Sequence, residues 1–176
     1  ERLDEAQEWV SRALTRAPQN VELLLASCWI QRRRGAWQEA NFLATRALGV
    51  EPENGQASYW VARTWLDRGL EAQSEQRLED AREAFETSLG FDPEEDESAI
   101  GLAAVSLLQA YRETLGEDYY DQGVRAVSEW EYEIARSRFG ASSKYRPGDP
   151  KPERRVGEVE REQARKRTTQ ALQLEV

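Results

Sequence analysis

The sequence predicts an all-α protein made of repeated antiparallel helix pairs. The first observation is a frame of small residues closed by proline. Ala40, Ala47 and Pro52 are spaced seven and then five. The same frame stands 34 residues earlier at Ala6, Ala13 and Pro18, and 41 residues later at Ala81, Ser88 and Pro93. A fixed period of this kind marks a repeat architecture. The second observation is that apolar residues recur at spacings of three and four, the period of a helix with one buried face.

Taken in order, residues 1–18 read as one amphipathic helix, with Leu3, Ala6, Val10, Ala13 and Leu14 on one face and Pro18 ending it. In the repeat frame this is the second helix of a unit whose first helix lies outside the sequence, so the N-terminus reads as cut. Residues 21–54 supply a complete 34-residue unit, with helices at 21–34 and 37–49 and Gly35 at the turn. Residues 55–95 supply the next, with helices at about 55–69 and 75–90. Seven extra residues fall between Gly69 and Ala81. They are free of Pro and Gly and rich in helix formers, so they predict a longer helix in each half of the pair rather than a loop around Glu71–Glu75. An apolar helix follows over 97–115, Gly116 breaks it, and 118–138 form its partner in an atypical terminal unit covering 96–139. Here bulky aromatics replace the small-residue frame. Residues 140–152 hold three Pro, two Gly and two Ser and read as a linker. Residues 153–176 read as a charged helix whose end, Ala171, Leu172, Leu174 and Val176, is apolar.

Charge excludes more than it selects. The net charge is −9, with −12 on residues 1–139 and +3 on residues 140–176. An acidic body argues against nucleic-acid binding, which draws its affinity from phosphate neutralisation. The longest nearly uncharged runs, Leu23–Gln31 and Ser98–Tyr111, are shorter than the ~20 apolar residues a membrane span needs. No signal peptide is visible, and the lone Cys28 forms no internal disulfide, which fits a cytoplasmic compartment. With no histidine in the chain there is no Ser–His or Cys–His pair and no His-ligated metal. Phosphate-loop glycine patterns are absent as well. The expectation is therefore a protein without catalysis, cofactor or metal.

The frame resembles the tetratricopeptide repeat (TPR), a 34-residue helix–turn–helix closed by proline. Leu24, Cys28, Gly35, Trp37, Ala40, Ala44, Ala47 and Pro52 carry the match in the first full unit. Ala62, Trp65, Gly69, Ala81, Phe85, Ser88 and Pro93 carry it in the second. Ser27 and Gln31 depart from it, standing where the family packs large side chains, and Ser58 stands where it has a tryptophan. The resemblance implies a right-handed superhelix of about three and a half helix pairs, followed by the linker and last helix. It also implies that the first helix of each pair lines an inner surface, here through Glu22, Leu25, Ala26, Trp29, Arg32 and Arg33, then Gln56, Tyr59, Trp60, Arg63, Leu66 and Asp67. The clamp by which some family members grip acidic chaperone tails is missing, since those positions hold Leu25, Trp29, Gln56 and Trp60.

On that surface, Trp29, Arg32, Arg33, Tyr59, Trp60 and Arg63 form the candidate partner-binding set, because aromatics and arginine carry most interface energy. The competing reading is tryptophans in the core and solvated arginines. The acidic run Asp92–Glu97 reads either as a cation or basic-partner site or as a loop and a helix start. Cys28 reads as a packing residue, and the final Leu-Glu-Val as an ordinary chain end rather than a PDZ-type ligand. The functional expectation is a scaffold that binds another protein or peptide through its inner groove. The alternative is a structural module that docks into a larger subunit or oligomer through its N-terminal helix edge and C-terminal helix.

Overall fold

The computed structural model of the protein describes residues 2–174, with side chains through residue 170. The described residues form eight helices and no strand: α1 Arg2–Arg16, α2 Val21–Arg33, α3 Trp37–Val50, α4 Gly55–Ser74, α5 Leu78–Phe91, α6 Asp96–Ser128, α7 Tyr132–Tyr145 and α8 Pro150–Leu174. The apolar end foreseen at Ala171, Leu172, Leu174 and Val176 lies outside the described side chains.

Three helix pairs repeat one local plan. Their turns, 34–36, 75–77 and 129–131, each hold one residue with left-handed backbone: Gly35 at φ 76°, Gln76 at φ 60° and Trp130 at φ 64°. Such a residue satisfies the last carbonyls of the preceding helix and lets the chain reverse within three residues. The second helix of each pair, α3, α5 or α7, is 14 residues long. Each ends alike: the amide of Glu51, Asp92 or Arg146 donates back to the carbonyl of Ala47, Ser88 or Ser142. A proline follows at Pro52, Pro93 and Pro147, and two residues later comes the side chain that opens the next helix. Asn20 and Asn54 accept from the amides of Leu23 and Ala57, each at 2.9 Å, and Asp149 accepts from Lys151 at 3.0 Å. These side-chain caps satisfy amides that a helix start leaves without partners.

All length variation sits in the first helices, which run 13, 20 and 33 residues. The seven-residue insertion therefore lengthens α4 alone, where the sequence suggested both halves of the pair. Gly69 is inside α4, and the turn falls at Gln76. The expectation of a break at Gly116 is likewise corrected, because α6 runs through it without interruption and the partner helix is 132–145 rather than 118–138. Gly116 is glycine for reasons of space. A Cβ there would stand 2.3 Å from Cγ of Arg146. Residues 140–145 complete α7 instead of joining a linker, and Pro150 and Pro152 sit in the first turn of α8, where a missing amide costs nothing. The small-residue frame is not lost in this pair either. It recurs at Ala135, Ser142 and Pro147, spaced seven and five.

The chain divides into two compact units, Glu1–Ser106 and Leu107–Val176, with α6 contributing to each. In the first, Val21, Leu24, Leu25, Ala47 and Ala57 form one buried cluster, Cys28, Ala40, Ala44 and Val61 a second, and Leu66, Ala72, Leu78, Ala81, Phe85 and Val105 a third. Ser88, fully buried, donates to the carbonyl of Ala62 at 2.8 Å and accepts from Ser98 at 2.8 Å, which ties α4, α5 and the start of α6 together. In the second unit, Ala126, Tyr132, Ala135, Phe139 and Val159 form the core, with Tyr120, Val127 and Val156 against it. Ser142 there donates to the carbonyl of Gly116 at 2.7 Å, the counterpart of the Ser88 bond. The apolar edge of α8 at Pro152, Val156 and Val159 thus serves the chain's own core.

Candidate functional site

Helices α2 and α4 place the six candidate residues. Trp29 and Arg33 are one turn apart on α2 and face the same way, with the Arg33 guanidinium 5.8 Å from the Trp29 ring centroid. Trp29 is 44% exposed, and Arg33 is exposed too. On α4, Tyr59 is 42% exposed and meets the Trp60 ring edge-on at 5.5 Å. Trp60 is half-buried and packs against two core clusters. Arg32 reaches from α2 to α4: it lies 5.9 Å from the Trp60 ring and forks onto Asp67, with Nη2 donating to Oδ1 at 2.8 Å and Nε to Oδ2. Arg63 donates to Glu95 at 3.0 Å and Glu97 at 3.3 Å.

The set therefore divides. Trp29, Arg33 and Tyr59 are open to an incoming partner. Trp60 is mostly structural, and Arg32 and Arg63 are already neutralised, by Asp67 of α4 and by Glu95 and Glu97 at the start of α6. Burial works against the charge on Arg63, but the hydrogen bond it donates to Glu95 and the two nearby carboxylates outweigh it and raise its pKa above the ordinary arginine value. Leu25 and Leu66, expected on the inner surface, are core residues instead. The partners of the arginines were not visible in local sequence, because Asp67 and Glu95 lie 35 and 32 residues along the chain.

The acidic run is engaged in the same way. Glu95 is buried beneath Arg63, and Asp92 accepts from the Glu94 amide at 3.2 Å. A second aromatic–cation group lies nearby. Arg68 stands 4.7 Å from the Trp65 ring and 5.5 Å from the Trp37 ring, and the Trp37 indole donates to Glu71 at 2.9 Å. Cys28 is fully buried, and burial pushes its thiol up to about 12, far from a reactive thiolate. No helix among the described residues is long and apolar enough to cross a membrane.

These features define an all-α helical-repeat protein with a tetratricopeptide-like fold. No family model matches the chain, and no curated protein matches it. Among solved structures, a thermophilic TPR protein of Thermus thermophilus is similar at 16% identity over 90% of each chain, with a TM-score of 0.41. MamA is similar at 15% identity over 92% of this chain and 79% of the other, with a TM-score of 0.37. The tetratricopeptide-like layout rests on the chain's own repeating turns, caps and small-residue frame.

Proposed function

We propose that the protein is a non-catalytic scaffold that binds a partner protein or peptide on the face of α2 and α4 bearing Trp29, Arg33 and Tyr59. The observation behind this reading is that two large aromatic rings stay more than two-fifths exposed on the first helices while their tryptophan and arginine neighbours are engaged within the fold. Rigid aromatics beside an exposed guanidinium are the groups that most often anchor an interface. The test uses the full chain carrying a photo-crosslinking residue at position 59, followed by mass spectrometry of the adducts, with and without Trp29→Ala and Arg33→Glu. One recurrent partner that disappears in the double variant, with helicity unchanged, supports the reading. Equal capture by both proteins overturns it. Trp60→Ala and Arg63→Glu are poor probes, since they would open the core and leave Glu95 buried without its cation.

A second reading, a module that docks on neighbouring subunits through its N-terminal helix edge, draws on α1. That helix buries no residue fully, and its Trp9 is largely exposed. Sedimentation over a wide concentration range tests it. A monomer throughout would remove self-assembly from this reading.

A further inference from the structure

Arg68 is half-buried, and among the described residues it forms no hydrogen bond and no ion pair. None of its guanidinium nitrogens is buried. Its equivalent in the unit before is differently placed. Arg34, at the end of α2, donates through Nη2 to Oδ1 of Asp4, 30 residues back on α1, and to the Leu3 carbonyl at 3.4 Å. Arg68 stands 34 residues after Arg34, and the residue 30 back from it is Gln38. It crosses to α3 as Arg34 crosses to α1: the Trp37 ring, 5.5 Å from its guanidinium, belongs to the residue 34 positions after Leu3. The second unit thus keeps the arginine and replaces the aspartate with a neutral amide.

The surroundings hold this guanidinium ready. The Trp65 ring stands 4.7 Å from it, and the Trp37 ring adds a second π surface. Contact with indoles attracts the cation and narrows its choice of rotamers, so less freedom is lost when it pairs. Glu71, one turn along α4 and spaced to reach Arg68, accepts from the Trp37 indole at 2.9 Å instead. Trp37 therefore supports the cation and keeps the neighbouring acid occupied. A planar guanidinium with open N–H groups matches a carboxylate, which it binds through two parallel hydrogen bonds. We infer that Arg68 receives a carboxylate of a partner polypeptide, an aspartate or glutamate side chain, in the role that Asp4 fills for Arg34. A phosphate dianion would meet more repulsion from Glu71. Arg68, Trp37 and Trp65 lie outside the candidate set, so the inference stands whether or not the face bearing Trp29 and Tyr59 binds a partner.

The probe is the capped tripeptide N-acetyl-Gly-Asp-Gly-amide, titrated into the full chain at low ionic strength. The readout is the side-chain N–H resonances of Arg68, Trp37 and Trp65. The aspartyl peptide should move them to saturation, while its asparagine analogue moves them several-fold less at equal concentration. Arg68→Gln should weaken binding by about tenfold or more, and Arg68→Lys several-fold, since lysine keeps the charge but loses the fork and the stacking. Gln38→Asp, a change at an exposed position, should put the acid back within the chain, shift the Arg68 resonance without any probe and weaken binding several-fold. The inference fails if the wild-type resonances stay still up to the solubility limit of the probe. It fails also if Arg68→Gln, or Gln38→Asp should the first variant not fold, binds as well as wild type. Inorganic phosphate that moves the same resonances further than the aspartyl peptide, at matched ionic strength, would overturn the assignment to a carboxylate.

Discussion

Gly69 and Phe85 meet so closely that a Cβ on the glycine would lie 2.5 Å from Cε1 of the ring. The same ring also meets Gly101, where a Cβ would stand 2.6 Å from Cζ. Phe139 stands in the same relation to Gly123, at 2.7 Å. Counted from the turn, the first pair holds Cys28 and Ala44 at these positions, so bulk has moved from one helix to its partner while both stay buried.

Gly69→Ala should therefore destabilise the protein. Alanine gains about 1 kcal/mol over glycine in a helix interior, but overpacking a fixed core ring costs about 1–3 kcal/mol. Phe85 is fully buried and pressed by two glycines, so the steric cost should prevail. Urea unfolding should show a lower midpoint with an unchanged slope, and adding Phe85→Leu should recover part of the loss. A midpoint equal to or above wild type would refute the packing argument.

Gly35→Ala should also destabilise, for the opposite reason. A Cβ there meets nothing within 4 Å, but φ is 76°. The cost is then conformational alone, about 1–2 kcal/mol for an L-residue in the left-handed region. Gly35→Asn should cost less, since asparagine tolerates that region. Thermal unfolding of the two variants side by side gives the order. Equal stability of Gly35→Ala and wild type would count against the turn geometry.

Cys28 should be inert in the folded protein. Its pKa is raised from 9.0 to about 12, chiefly by burial, so at pH 8 only about 10⁻⁴ of it is thiolate, against about a tenth in the unfolded chain. Labelling by iodoacetamide should be at least ~10³-fold slower in buffer than in denaturant. The sign for stability follows. The folded state holds this proton more tightly, so the contribution is complete below pH 9 and is lost as pH rises toward 12. Rapid labelling of the native protein would show that α2 and α3 separate readily.

The first full pair was legible in sequence almost to the residue, because apolar spacing, Gly35 and Pro52 agree there. The third pair was not, for physical reasons. Gly116 reads as a helix breaker, yet it and Gly123 are glycines because Arg146 and Phe139 press against the helix at those points. The true turn residue, Trp130, is one whose bulk argues against left-handed backbone. The signal that would have located α7 was present in Ala135, Ser142 and Pro147, hidden by a 54-residue interval from the preceding frame. On the binding face, residue types were readable but their commitments were not, because a helix surface does not reveal which carboxylate on the next helix will reach it.

The two bridges between successive first helices bear on the order of the units. Arg32 is matched by Asp67 one unit ahead, and Arg63 by Glu97 in the first turn of α6, in the unit after that. The neighbours are not interchangeable, since exchanging the units would part Arg32 from Asp67 and Arg63 from Glu97. A solenoid held only by small residues and apolar filling would tolerate many arrangements of its parts. In this chain, two arginines and their partners write the sequence of the parts into the fold.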